Sequence, residues 1–176
     1  DMVVDPREVR LPGITGVVKD GILVGLYGYE AGQVAVGDML AWFVDTFDPA
    51  ERSYSALEQA AAALAPAQTG LLALDWWNGN RSILADADLT GVLCGLTLHT
   101  TGAEIYRALL EAIAFGNRRI IENFEAHGLP VDEIVACGGI AERSPLTMQL
   151  VADISGLPVK VPASGEIPAR GAALFG

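Results

Sequence analysis

The architecture reads most directly from Ile134-Val135-Ala136-Cys137-Gly138-Gly139-Ile140-Ala141. A strand over Glu133 to Cys137 runs into a glycine pair. Ser144-Pro145 then opens a helix, with serine as N-cap and proline at the first position. Met148, Leu150, Val151 and Ile154 form its apolar side, and Gly156 stops it. Val159 to Val161 reads as another strand, and Pro168 to Phe175 begins a last helix. Strand, helix, strand, helix argues for an α/β domain rather than a bundle or sandwich.

Glycines at a strand end allow positive φ and let a ligand approach the backbone amides, and a helix N-terminus favours an anion. Gly138 and Gly139 therefore fit a nucleotide or phosphate seat, and they equally fit an ordinary tight βα turn. Spacing alone favours the turn, because Gly-Gly is shorter than a P-loop or a G-x-G-x-x-G motif.

Upstream lies the strongest helix. Thr101-Gly102-Ala103-Glu104 has the capping-box pattern. Ile105, Leu109, Ala112, Ile113, Gly116, Ile120 and Phe124 mark one apolar face, and His127-Gly128 is the stop. Arg107 and Glu111, one turn apart, read as an i,i+4 ion pair on a solvated face. Before this helix, Asp75 to Thr100 lacks periodicity, and an ordered loop this long is usually functional or an interface. Trp76 and Trp77 within it read as packing residues. Leu71 to Leu74 is a short buried strand.

The first thirty residues read as strands: Met2 to Val4, then Thr15 to Val18 and Ile22 to Tyr27 about a Lys19-Asp20-Gly21 hairpin turn. Helical spacing of Val36, Met39, Leu40, Phe43 and Val44 predicts a helix over Gln33 to Thr46, ended by Asp48-Pro49. A second, alanine-rich helix runs from Glu51 to Leu64. Gly37 then interrupts the first helix, where glycine costs about 1 kcal/mol relative to alanine. Close approach of a ligand or of another helix would explain it, packing being the commoner reason. Glu30, between Gly28-Tyr29 and Ala31-Gly32, could accept polar substrate hydroxyls or complement the helix start.

The chain has 176 residues, 51% of them apolar and 19% charged, enough for a buried core. Its net charge of −11 argues against nucleic acid and anionic membrane as partners. No stretch is long and apolar enough to span a bilayer, and the N-terminus does not read as a signal peptide. Cys94 and Cys137 fit reduced thiols of a cytoplasmic protein, Cys137 turned into the core. No Ser-His-Asp set, paired acid/base carboxylates or metal cluster emerges. The chain reads as starting inside a strand and stopping inside a helix, so a fragment is expected.

Three segments carry a resemblance. Gly25-Leu26-Tyr27-Gly28-Tyr29-Glu30-Ala31-Gly32-Gln33, with Val36-Gly37-Asp38 and Ala41-Trp42-Phe43, resembles the opening of the C-terminal domain of L-ribulokinases. Leu74-Asp75-Trp76-Trp77-Asn78-Gly79-Asn80-Arg81 resembles their aromatic loop. Tyr106 to Gly116, Cys137 to Ala141, Met148-Gln149 and Gly171-Ala172-Ala173 resemble the wider FGGY carbohydrate kinase family. The likeness runs over essentially the whole chain.

The resemblance implies an RNase H-like, actin-like ATPase domain, with a mixed sheet and flanking helices, closing on a sugar-binding N-terminal domain. Residues 1–176 would be the C-terminal kinase domain, its last helix truncated. The implied reaction is ATP plus L-ribulose to ADP plus L-ribulose 5-phosphate, with Mg²⁺ and an aspartate base upstream of this chain. The 176 residues alone would then be inactive. Carried over by position, Gly138 and Gly139 would seat the nucleotide and Gly37 would lie against its phosphates. Ala41 and Arg143 would stand near the nucleotide, where related kinases place a glutamine and an asparagine. Glu30 would reach the sugar hydroxyls. Another FGGY pentose or pentitol kinase, or a non-catalytic actin-like interaction domain, is the alternative. A homodimer is compatible with the sequence.

Overall fold

The computed structural model describes residues 2–47, 53–163 and 167–175. Three strands open the chain: β1 (Met2–Asp5), β2 (Gly16–Lys19) and β3 (Tyr27–Glu30). They form an antiparallel sheet in the order β1-β3-β2, with Tyr29 opposite both Val3 and Val17. Helices α1 (Val36–Phe47) and α2 (Tyr54–Ala62) follow, then an antiparallel pair, β4 (Leu72–Leu74) and β5 (Val92–Cys94). The long helix α3 (Gly102–Ala126) leads to β6 (Ile134–Val135), α4 (Gly139–Arg143), α5 (Pro145–Ser155), β7 (Val159–Lys160) and α6 (Ile167–Phe175). β6 and β7 pair in parallel, Ile134 opposite Val159, so the α/β pattern of the C-terminal half is present.

Helix α3 forms where its local signals put it. Thr101 N donates to Glu104 Oε2 at 2.7 Å, and Glu104 N donates to Thr101 Oγ1 at 3.3 Å, closing the capping box. Past its end, Gly128 takes φ +78°. The helix serves two cores. Tyr106, Leu109, Leu110, Ile113 and Ala114 pack with Met39, Leu40, Phe43 and Val44 of α1, Ala61 of α2 and Leu150 and Val151 of α5. Two turns on, Ile120 and Phe124 pack with Leu11, Tyr29, Ala31 and Leu129. Each such buried aliphatic or aromatic side chain contributes about 1.5–3 kcal/mol.

Several expectations shift. Ile22 to Leu26 is a turn rather than a strand, and Val24 is 91% exposed. Asp20 (φ +59°) wraps it: its carboxylate accepts from Gly25 N at 2.6 Å, and its own N–H donates to Leu26 O at 2.8 Å. Helix α1 starts at Val36, so Gly37 lies in the first turn and interrupts nothing. Ser53 caps α2, its Oγ accepting from Ala56 N, while the expected Asp48-Pro49 break and Glu51 start lie outside the described residues. The unperiodic stretch holds β5, which pairs with β4; β4 is not the buried strand expected, since Leu72 and Leu74 are exposed on this two-stranded pair. Cys137 is exposed, because β6 ends at Val135 and the chain has left the sheet.

Arg107 departs furthest from expectation. It is 5% exposed, not on a solvated face. Nε donates to Glu111 Oε1 at 2.6 Å, and Nη1 reaches Ala61 O and Leu64 O at 3.2 and 3.4 Å. A cation thus meets the C-terminal carbonyls of α2, where the helix dipole favours it. Removing one partner of a buried pair strands the other. Arg107→Met is expected to cost about 3 kcal/mol in denaturant unfolding. Glu111→Gln, which keeps an acceptor, should cost less than half of that.

Candidate functional site

Strand β6 delivers the chain to Gly138, which sits at φ +92°, ψ 179° as the N-cap of α4. That conformation is open essentially to glycine alone. Gly139 is the first helical residue, so the positive φ belongs to its neighbour. A Cβ on Gly139 would collide with the Arg143 guanidinium, the end of a flexible side chain. Arg143 closes α4, and Ser144 turns the chain into α5.

Ser144 is held from a distance. Its Oγ donates to Glu58 Oε1 at 3.1 Å and accepts from Thr147 N at 3.2 Å, and Leu146 N donates to the same Glu58 oxygen at 3.0 Å. Glu58 belongs to α2, so one carboxylate ties that helix to the start of α5. Between them opens a cleft of about 350 Å³. Gly37 and Leu40 of α1, Tyr54 and Glu58 of α2, Tyr106 of α3, and Gly139, Ile140, Arg143 and Ser144 line it. Burial, reinforced by the charges of Glu58 and Tyr54, pushes the Tyr106 hydroxyl up to about 12, so it is neutral at physiological pH.

Three of the expected nucleotide contacts, Gly37, Gly139 and Arg143, therefore face one cleft although about a hundred residues separate the first from the others. Gly138 adjoins it through the start of α4. The positions where a Cβ would stand on Gly37 and Gly138 are open space. Ala41, one turn beyond Gly37, is half-buried and not among the lining residues. Glu30 ends β3 away from this cleft, its Oε1 accepting from Arg81 Nη2 at 3.3 Å. Tyr54, Glu58 and Tyr106 carry no local sequence signal, since only the tertiary fold brings them to the cleft. Ser144 was legible as a cap but not as a cleft residue.

A second hollow of about 210 Å³ lies beside Asp75, Gln33, Arg81, Phe115, Gly116 and Arg119. Asp75 is 7% exposed and accepts from Gln33 Nε2 at 2.7 Å. Gln33 Nε2 also donates to Ile113 O at 2.9 Å, across Gly116, where a Cβ would strike the Gln33 amide. Burial raises the Asp75 pKa, partly offset by the Gln33 donor. Among the described residues no group of three or more His, Cys, Asp or Glu could hold a metal ion. No helix among them is long and apolar enough to cross a membrane.

Residues 1–176 match the FGGY family of carbohydrate kinases, C-terminal domain, and the chain belongs to this family. Among its relatives, the ribulokinase of Anoxybacillus flavithermus is 51% identical over 99% of this chain and 33% of its own length. The ribulokinase of Bacillus licheniformis is 52% identical over 97% of the chain and 33% of its own length. The chain thus spans about a third of the curated relatives it matches. The xylulose kinase from Rhodospirillum rubrum superimposes with a TM-score of 0.80 at 25% identity, over 99% of this chain and 36% of that one. Gluconate kinase from Lactobacillus acidophilus, at 22% identity, shares the fold with a TM-score of 0.78 over 99% of this chain and 35% of that one. The fold is the actin-like ATPase fold of the family, α/β with both strand directions, spread among the described residues over three small sheets.

Two outcomes follow from this geometry. Gly138→Ala is expected to destabilise the fold by about 1–3 kcal/mol through backbone strain. Gly139→Ala should cost clearly less, because the Arg143 end can swing aside; thermal melts compare the two. For Asp75, the folded-state pKa is raised, so its stabilising contribution is complete below 3.8 and is lost as pH rises through the folded value. Asp75→Asn cannot ionise. Its unfolding free energy relative to the wild type should improve as pH rises above about 4, read from denaturant curves across pH.

Proposed function

We propose that this chain is the nucleotide-binding, C-terminal domain of a sugar kinase. The whole enzyme would transfer the γ-phosphoryl group of ATP to L-ribulose, giving L-ribulose 5-phosphate for L-arabinose catabolism in the cytoplasm. Its N-terminal domain, on the same polypeptide, would hold most of the sugar and supply the aspartate base. The observation that carries the reading is the convergence of Gly37, Gly139 and Arg143 on one glycine-floored cleft. Ribulokinase relatives at about half identity support the choice of sugar.

The cleft suits ATP in its chemistry. Leu40, Ile140 and the rings of Tyr54 and Tyr106 offer an apolar slot for a flat base. Arg143 supplies positive charge for phosphate, and bare backbone at Gly37 and Gly138 admits close approach. Ala41 would stand near the nucleotide through its place on α1. Mg²⁺ would arrive with the ATP phosphates, since the described residues offer no carboxylate cage for it. Glu30, an acceptor-only carboxylate, would take hydrogen bonds from sugar hydroxyls. Association as a homodimer is compatible with this role.

The test is a split of Michaelis constants in the full-length enzyme. Gly139→Val and Arg143→Ala should each raise KM for ATP about tenfold or more, the loss of about 1.4 kcal/mol. KM for L-ribulose should stay within about twofold. Glu30→Gln should do the reverse, since a charge-assisted hydrogen bond contributes about 1.5–3 kcal/mol. Equal weakening of both substrates, or of neither, in folded variants would return these residues to structural roles. Faster turnover of another pentulose or pentitol than of L-ribulose would move the enzyme elsewhere in the family.

A further inference from the structure

The Asp75–Ser82 segment grips the turn between β3 and α1 at three successive points. Arg81 Nη2 donates to Glu30 Oε1 at 3.3 Å. Ser82 Oγ accepts from Gly32 N at 3.1 Å. Asp75 Oδ2 accepts from Gln33 Nε2 at 2.7 Å. Glu30 is the last residue of its strand, and regular structure resumes only at Val36, after Ala35 at φ +63°. The loop supplies side-chain holds where the sheet no longer does.

The loop is itself stiff. Asn80 and Asp86 exchange backbone hydrogen bonds of 2.8 and 2.9 Å, and Asn80 Oδ1 accepts from Leu84 N at 2.9 Å. Ser82 is 6% exposed and Asp75 7%, so both ends of the grip are anchored in the interior. Arg81 projects from this frame. Its planar guanidinium donates to one carboxylate oxygen of Glu30, and a carboxylate can accept on both.

We propose that Arg81 is a positioning residue for the sugar: the aromatic loop fixes, through Arg81 and Ser82, the direction in which Glu30 meets a polyol's hydroxyls. This rests on Glu30 as the sugar contact. An exposed glutamate with three free torsions would otherwise sample many directions, and a small misplacement of a contact group costs affinity steeply. The ligand class is a polyhydroxylated chain such as a ketopentose, whose hydroxyls donate to a carboxylate.

The experiment uses the full-length kinase with L-ribulose and ATP varied separately. Arg81→Ala should raise KM for L-ribulose about tenfold and leave KM for ATP within about twofold. Arg81→Lys, which keeps the charge and loses the planar fork, should fall between. The double variant Glu30→Gln with Arg81→Ala should be no worse than Glu30→Gln alone, because Arg81 acts through Glu30. An unchanged or lower sugar KM in Arg81→Ala, additive effects in the double variant, or equal weakening of both substrates would each overturn the proposal. If Glu30→Gln leaves sugar KM unchanged, the sugar role of Glu30 fails first, and the proposal falls with it. Should Arg81→Ala not fold, Arg81→Gln decides by the same two constants.

Discussion

Everything in this domain is referred to one apolar stripe on α3. A single helix of 25 residues closes one core with its first half and another with its second. The first core holds α1, α2 and α5, and α1 and α2 wall the cleft together with α3 and α4. The second holds the underside of the β1-β3-β2 sheet through Tyr29, from which Glu30 projects the other way. The distance between cleft and carboxylate is therefore set by helix geometry, with a rise of about 1.5 Å per residue. Arg107 adds a polar lock to the apolar stripe, binding the end of α2 to the same helix.

The cleft shows how weak local forces and long-range ties divide the work. The turn at Gly138 is local: a strand end, a glycine in a rare conformation, a short helix. Its placement against α2 is not local, and depends on Glu58 receiving both Ser144 and Leu146. Buried polar groups need such partners, since an unpaired one costs about 1–3 kcal/mol. The same logic governs Asp75 and Gln33, which satisfy each other beside Gly116 because only a glycine leaves room.

What could be read from the sequence was what is decided within a few residues. The Thr101–Glu104 box, the Ser144-Pro145 helix start and the Gly156 stop each rest on contacts three or four positions apart, and all three appear as expected. The glycines and Arg143 were identifiable as a group only by resemblance. Their meeting with Gly37 needed the fold. The misreadings share one cause. Ile22 to Leu26 is apolar enough for a strand, but the Asp20 carboxylate spends its hydrogen bonds on closing a wide turn. Arg107 and Glu111 have the spacing of a surface pair, yet α2 packs over them. Cys137 looked like strand because apolar residues precede it, while the last bond of the ladder, Ala136 N to Lys160 O, comes one position earlier.

Gly138 has a consequence that concerns handedness. At φ +92° and ψ 179° its backbone is the mirror image of ordinary extended chain. An L-residue finds there the strain that a D-residue finds in a common β-strand. The turn therefore does not demand smallness, since the space beside it is open. It demands the absence of left-right bias. Chemical synthesis with D-alanine at this single position would meet a backbone already shaped for it, whereas L-alanine, identical in size and polarity, would have to bend the strand's exit before the helix could begin.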